Sequence, residues 1–458
     1  MEPSAASAKA AASAPSAAAA SPAVAEKMNS AQFRTALTLG FGLFGAQLMW
    51  MVYNTYMPIF LQAGAPGFST SLAVRGFGLT ATLTGIIMTF DNIAAFFLQP
   101  LMGPISDRTH TRFGRRIPYI MIFAPLSAIA FALIPVGALL IPPSLSGQLA
   151  LIKGPFALLI GAALVMVLCM ALWRTPLFAL MPDLFPSALR SEANALINIM
   201  SGIGGIIAFV AGGLLFSLNP GMPFWFGSLI TLLAVLIVVL KIREPQAVAE
   251  SSESRRMRDI LKDLGRMPAA NRKSLILLIL TVFGYMLGYM AIETFFSSFA
   301  VSTMGMKPSA AAMLLAVSYV SFLVFAIPSS SLAKRWGRKR TVLTGLVVFG
   351  LGLVVIWLFP SVPVVVAMLV VGGFGWALVN INCYPMILDT SVDESLMGTF
   401  SGLYFIATTL AGTLGPILNG WIIDLTGRNY AVIFLVCPLF FLFSFLCLSR
   451  VTTGEVKA

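Results

Sequence analysis

Three charged residues lie inside long apolar stretches of this sequence: Asp91 in FDNIAAFF, Arg174 in ALWRTPLF and Glu293 in YMAIETFF. A charge near the centre of a bilayer costs roughly 2.5–3.5 kcal/mol or more, so such residues usually have a function. We expect Asp91 and Arg174 to lie at mid-depth and to form an ion pair. Protonation of Asp91 would then free Arg174 and be coupled to substrate binding. The alternative is a permanent ion pair that only fixes helix packing.

Glu293 belongs to a polar stripe in which Tyr285, Tyr289, Glu293 and Ser297 recur every four residues, on one helical face. Aromatic faces and hydrogen-bond acceptors of this kind suit a sugar, although the same stripe could serve contacts between helices. Comparable polar sets occur in other apolar stretches. We predict that they line one cavity: Gln47, Trp50 and Asn54; Asn92 and Gln99; Asn194, Asn198 and Ser201; Asn380 and Tyr384.

The composition indicates an integral membrane protein. Of 458 residues, 58% are hydrophobic and 10% are charged, whereas a soluble domain carries about 25% charged residues. The net charge of +12 does not indicate nucleic-acid binding, because the basic residues stand in short runs between apolar stretches. The four cysteines lack metal-ligand spacing, so we expect free thiols and neither a metal nor a cofactor.

The apolar stretches predict an all-α protein with twelve transmembrane helices, since lipid requires each span to pair its own backbone groups. They lie near 33–61, 78–105, 118–141, 155–182, 194–218, 223–241, 274–302, 309–333, 341–360, 363–388, 397–423 and 429–449. With both termini in the cytoplasm, nine Lys and Arg residues from Lys241 to Lys273 and the run at 334–340 lie inside. The opposite side receives few basic residues, which supports this orientation.

The predicted organisation has five parts. Residues 1–30 form an Ala/Ser/Pro-rich tail, which we interpret as disordered and cytoplasmic. Residues 31–241 and 274–450 form two six-helix halves, joined by a central cytoplasmic loop at 242–273 and followed by a tail at 451–458. The RRMRDILKDLGRM part of that loop could form an amphipathic helix on the inner leaflet or a solvated linker.

The two halves resemble each other in sequence: RFGRR at 112–116 is echoed by RWGRKR at 335–340, and 180–213 is echoed loosely by 386–420. A parallel repeat of two six-helix units describes the major facilitator architecture, with its substrate site between the halves near mid-membrane. The loop GPISDRTHTRFGRR resembles the gate loop of that superfamily. We predict a gate latch built by Gly103, Asp107, Arg108, Gly114, Arg115 and Arg116, with Gly103 allowing close helix approach and Asp107 pairing with arginines or capping a helix.

The runs FGLFGAQLMWMVYN, QPLMGPISDRTHTRFGRRIPYI, GYMAIETFF and NINCYPMILD resemble the sucrose-transporter branch of the major facilitator superfamily. That branch is allied to the glycoside–pentoside–hexuronide symporters, and the resemblance covers residues 31–450. It implies cation-coupled sugar uptake across a cell membrane. Sodium-coupled relatives carry aspartates where this sequence has Ala95, Gln99 and Arg174, so the resemblance implies a proton as the coupling ion.

We therefore expect a monomeric, proton-coupled sugar symporter that works by alternating access and is not an enzyme. The span-5 run GIGGIIAFVAGG lacks the Gly-Pro pair that is typical of proton-driven exporters, which favours uptake. Two alternatives remain open. The first is an exporter or a transporter of lysolipids or other amphiphiles with the same fold, and the second is a sensor that no longer moves substrate.

Overall fold

A computed structural model describes residues 28–66, 68, 74–186, 189–244, 268–390 and 397–453. Within them lie twelve helical segments that are long and apolar enough to cross a membrane, as the sequence predicted. Every predicted boundary lies within about five residues of the observed one. The predicted N-terminal tail and most of the predicted central loop lie outside the described residues.

The first half contains seven helices, of which α2 and α3 together make one span. They are α1 (Ser30–Gln62), α2 (Ala81–Met88), α3 (Phe90–Asp107), α4 (Ile117–Leu139), α5 (Lys153–Leu184), α6 (Arg190–Leu218) and α7 (Met222–Lys241). The second half contains α8 (Ala269–Ser302), α9 (Pro308–Trp336), α10 (Arg338–Leu358), α11 (Val362–Leu388), α12 (Met397–Leu425) and α13 (Ile433–Ser449).

Most helix contacts are made within a half. Helix α1 packs on α6 and α7, and α4 packs on α5 and α7; in the second half α8 packs on α12 and α13, and α11 packs on α9 and α10. The halves meet chiefly along three helix pairs, α6 with α9, α2 with α12, and α1 with α8, and α3 also contacts α12. Any site at the centre of the molecule is therefore shared between the two halves.

The sequence did not predict that the second span is interrupted. Helix α2 ends at Met88, Thr89 carries a hydroxyl that donates to the carbonyl oxygen of Ile86 at 2.7 Å, and α3 starts at Phe90. Asp91 consequently lies in the first turn of a new helix. The N-terminal end of a helix dipole favours a carboxylate there, which offsets part of the cost of its burial.

The two faces of the helix bundle are named from the predicted topology. The inner side carries the predicted gate loop and residues 242–244, and the outer side carries residues 63–66, 74–80 and 426–432. Both α1 and α8 run from the inner to the outer side, so they cross the central region in parallel. Polar residues at equivalent heights on these two helices can therefore meet.

Candidate functional site

A carboxylate and an amide join the two halves at the centre of the helix bundle. The Asn54 side chain on α1 donates to Glu293 Oε1 on α8 at 3.1 Å, and both residues are half-buried. The sequence predicted each residue for the site but not their pairing. This hydrogen bond therefore links the two halves directly.

Asp91 lies close to this pair and is almost fully buried, with 6% of its surface exposed. The Asn92 side chain donates to Asp91 Oδ1 at 3.1 Å and also approaches the Gly412 carbonyl oxygen of α12 at 3.5 Å. The charges of Asp91 and Glu293 are near enough to act on each other. Two acidic side chains, one from each half, therefore lie at the centre of the helix bundle.

Arg174 does not form the predicted ion pair with Asp91. Among the described residues, the ion pairs shorter than 4 Å involve Asp107, Asp183 and Asp389, and none of them includes Arg174. The guanidinium lies 5.9 Å from the Trp50 ring centroid and 5.7 Å from that of Phe178, and it remains within electrostatic reach of Asp91. Aromatic faces attract a cation. Among the described residues none accepts a hydrogen bond from the Arg174 guanidinium, so its N–H donors can serve a further group.

Tyr319 on α9 is a central residue that the sequence reasoning missed. Its side chain interacts with Gln47 and lies within electrostatic reach of Arg174 and Glu293. It also packs edge-on against Phe209 at 5.9 Å, across the contact between α6 and α9. The run SYVSF does interrupt an apolar span with polar atoms, and this was the available signal.

The two tyrosines of the predicted polar stripe on α8 lie in different environments. Tyr289 is half-buried and stacks on Trp376 of α11, with ring centroids 3.7 Å apart and planes 6° apart. Tyr285 is fully buried and meets the edge of the same tryptophan. Tyr289 and Trp376, the latter also missed, thus form an aromatic wall near Glu293, whereas Tyr285 packs within the second half.

The remaining predicted cavity residues lie further along their helices. Asn194 and Asn198 are exposed near the inner end of α6, where the Asn198 amide donates to Asn194 Oδ1 at 3.1 Å. Tyr384 shares a hydrogen bond of 2.8 Å with Ser401 of α12. Gln99 and Asn380 are half-buried in α3 and α11. The structure therefore separates these five residues from the central group, which consists of Gln47, Trp50, Asn54, Asp91, Asn92, Arg174, Tyr289 and Glu293.

The predicted gate loop contains a network of ion pairs on the inner side. Asp107 pairs with Arg116 at 2.7 Å, as predicted, and Asp183 pairs with both Arg115 and Arg116, at 2.8 and 2.6 Å. Gly114 has a φ of +107°, which only glycine adopts easily. A methyl group added at Gly103, however, would meet nothing within 4 Å, so the predicted close helix approach at Gly103 is wrong for this conformation.

Twelve spans in two packed halves, joined at the centre by buried polar residues, define a secondary transporter of the major facilitator class. The sequence profile described as "MFS/sugar transport protein" matches residues 38–431, and the chain belongs to that family. The family is one of transporters, as the sequence predicted.

Relatives in sequence include transporters with several named activities. The chain is 25% identical over 53% of its length to "Tetracycline resistance protein, class H" of Pasteurella multocida and 28% identical over 40% to "Proton-associated sugar transporter A" of Homo sapiens. It is 24% identical over 69% of its length to "Isoprimeverose transporter" of Lactiplantibacillus pentosus. These matches span 60%, 22% and 65% of the relatives' own lengths.

Solved structures share the fold at low sequence identity. The nucleoside transporter NupG superposes with a TM-score of 0.68 at 16% identity, covering 91% of this chain and all of the other. An inward-facing bacterial homologue of the human lysosomal transporter Spinster also gives 0.68 at 16% identity, covering 93% of this chain and 98% of the other. These likenesses establish the architecture alone.

Proposed function

We propose that the chain moves a sugar together with a proton across a cell membrane by alternating access, in the direction of uptake. The observation that carries the proposal is the hydrogen bond between Asn54 and Glu293, which joins the halves beside a second buried carboxylate. The proposal includes both termini in the cytoplasm, a monomeric state, no cofactor and no nucleic-acid partner.

A proton is well suited to switch this arrangement. An ionised Glu293 holds the Asn54 amide through a charge-assisted hydrogen bond, and protonation removes that charge and weakens the bond. Protonation of either carboxylate also relieves its repulsion with the other. The halves then separate more easily at the centre, which couples proton binding to the change of access.

A sugar matches the groups that surround the two carboxylates. The aromatic wall of Tyr289 and Trp376 offers an apolar face to a sugar ring, and the free donors of Arg174 can bind hydroxyl oxygens. The family description and two of the relatives name sugar transport. Sugar is therefore the substrate class that the residues and the relatives support best.

The test is uptake of a panel of labelled mono- and disaccharides by the purified chain in proteoliposomes, with an inward proton gradient, an inward sodium gradient or neither. We expect one sugar to accumulate only under the proton gradient. The absence of uptake of any sugar under every gradient would contradict the proposal and leave the fold unaffected.

The variants Asp91→Asn and Glu293→Gln test the coupling role directly. We expect each to abolish proton-driven accumulation while retaining exchange of labelled for unlabelled sugar at equilibrium, since exchange needs no net proton movement. Glu192→Gln is the matched control, because Glu192 is an exposed carboxylate at the inner end of α6 and should behave as the parent. Unchanged accumulation in both site variants would contradict the coupling role.

Export is the second candidate function, and similarity to relatives named for resistance supports it. These are the tetracycline resistance protein and "Multidrug resistance protein 2" of Bacillus subtilis, which is 24% identical over 52% of this chain. Assays in which the proton gradient is reversed discriminate the two directions. Gradient-driven loss of an amphiphile or drug from cells, with no sugar uptake, would establish export.

A further inference from the structure

Asp424 lies at the outer end of α12, in the second half, yet the hydrogen bonds that its carboxylate forms with described residues all go to the first half. Its Oδ1 accepts from the backbone N–H of Ala81 at 3.0 Å, and its Oδ2 accepts from the Thr82 N–H at 2.8 Å and from the Thr82 hydroxyl at 2.5 Å. Those amides are the first two of α2. The carboxylate of one half therefore caps a helix of the other half.

The Asp424 carboxylate suits the start of α2 in charge, and it adds to the cap that Thr80 provides from within the same half. The first N–H groups of a helix have no partner within the helix, and the positive end of its dipole favours an anion. Thr80 satisfies the Leu83 N–H through its own side chain, which leaves Ala81 and Thr82 to Asp424. Removal of Asp424 from this position would leave two amides unpaired at the junction of the halves.

The backbones of α2 and α12 are also in close contact at this junction of the halves. A methyl group at Gly420 would lie 2.8 Å from the Ala81 carbonyl carbon, and one at Gly85 would lie 2.8 Å from the Pro416 carbonyl carbon. Two further contacts cross between the halves nearby, from Arg428 Nη1 to the Pro66 carbonyl oxygen at 2.9 Å and from Phe68 to Tyr430, edge-on at 6.2 Å. The outer side of the central region is closed by these contacts.

We propose that Asp424 is the residue that locks the outer gate, by capping α2 only while the outer side is closed. In the outward-open state α2 and α12 must separate, and their separation breaks all three hydrogen bonds together. Asp424 thus positions the two halves and contacts no substrate. The role is independent of which solute is carried, so it can fail or hold separately from the proposed function.

The first measurement is hydrogen–deuterium exchange of the purified chain, comparing Asp424→Asn with the parent. We expect the peptide that contains Ala81 and Thr82 to exchange at least about tenfold faster in the variant, the loss that one charge-assisted hydrogen bond represents. Glu244→Gln is the matched control, since Glu244 lies just beyond the end of α7 and caps the start of α4, so its hydrogen bonds do not cross to the second half. That control should speed exchange near Ile117 and leave Ala81 and Thr82 unchanged.

The second measurement separates a gate lock from a simple helix cap. Nitroxide labels at Ser144→Cys and Ser361→Cys, both exposed on the outer side of opposite halves, report the outer opening by electron–electron double resonance. This requires a background in which the four native cysteines are replaced by serine. We expect Asp424→Asn, but not Glu244→Gln, to add a longer-distance component. Faster exchange at Ala81 with unchanged distances would overturn the proposal and leave Asp424 a structural cap.

Discussion

Two carboxylates on opposite sides of this molecule each accept hydrogen bonds from backbone N–H groups at the start of a helix, but they connect different parts of the fold. On the inner side, Glu244 accepts from the N–H groups of Arg115, Arg116 and Ile117 at 2.7, 2.8 and 2.6 Å and so caps α4. On the outer side, Asp424 caps α2. Glu244, three residues beyond the end of α7, connects that end of the first half to the start of α4, whereas Asp424 connects the two halves.

The comparison shows that the place of a helix cap in the topology decides what it stabilises. A cap within a rigid half is present in every state of the transport cycle, so it contributes to the stability of the fold. If Asp424 caps α2 only while the outer side is closed, as proposed, then this cap contributes to the balance between states. The two contributions are separable by measuring unfolding and conformation in the same variants.

The largest expected effect on unfolding is that of Glu244→Ala. It removes three hydrogen bonds to an ionised group and leaves three amides beside Gly114 without this partner, which should lower the free energy of unfolding by about 3 kcal/mol. Thermal unfolding in detergent, followed by tryptophan fluorescence, measures the fall in Tm. The distances between outer-side spin labels should stay as in the parent.

Asp424→Ala provides the comparison for this measurement. The halves can separate without unfolding, so its Tm should fall much less than that of Glu244→Ala while its outer distances lengthen. An equal fall in Tm for the two variants, with neither changing the distances, would remove the distinction between a cap within a half and a cap between halves.

The close contact of α2 with α12 gives the second prediction. Gly85→Ala places a methyl group against the Pro416 backbone, which overpacks the junction and should favour the outward-open state by about 1–3 kcal/mol. Gly161→Ala is the matched control, because a methyl group there meets nothing within 4 Å. Spin-label distances on the outer side measure the shift, and identical distances in the two variants would contradict it.

The sequence predicted the spans well because length and hydropathy decide them. It also found Asp91, Arg174 and Glu293, since a charge within an apolar run is conspicuous. The interruption at Thr89 could not be predicted, because no Pro or Gly stands at the break. The hydrogen-bond partner of Glu293 could not be predicted either, since Asn54 and Glu293 are 239 residues apart and meet only when the two halves are packed together.

Two kinds of residue escaped the sequence reasoning for physical reasons. Asp424 and Glu244 stand at the ends of spans, where carboxylates are common, and only the fold shows which helix each one caps. Trp376 and Tyr319 are aromatic residues in apolar spans, and their role depends on the orientation of the ring. The sequence pattern therefore gave candidate residues that lie at the centre of the helix bundle, and the packing was required to identify their neighbours.

The smallest predicted effect is at Arg428. Arg428→Gln removes one hydrogen bond to the Pro66 carbonyl oxygen from a half-buried side chain, so it should favour opening of the outer side by about 1 kcal/mol or less. Spin-label distances should show a longer component that is weaker than in Asp424→Asn. Lys153→Gln, an exposed cation on the outer side, controls for the loss of charge. A larger opening of the outer side in Arg428→Gln than in Asp424→Asn would contradict this order. The contact between Arg428 and Pro66 would then stabilise the closed outer side more than the Asp424 cap does.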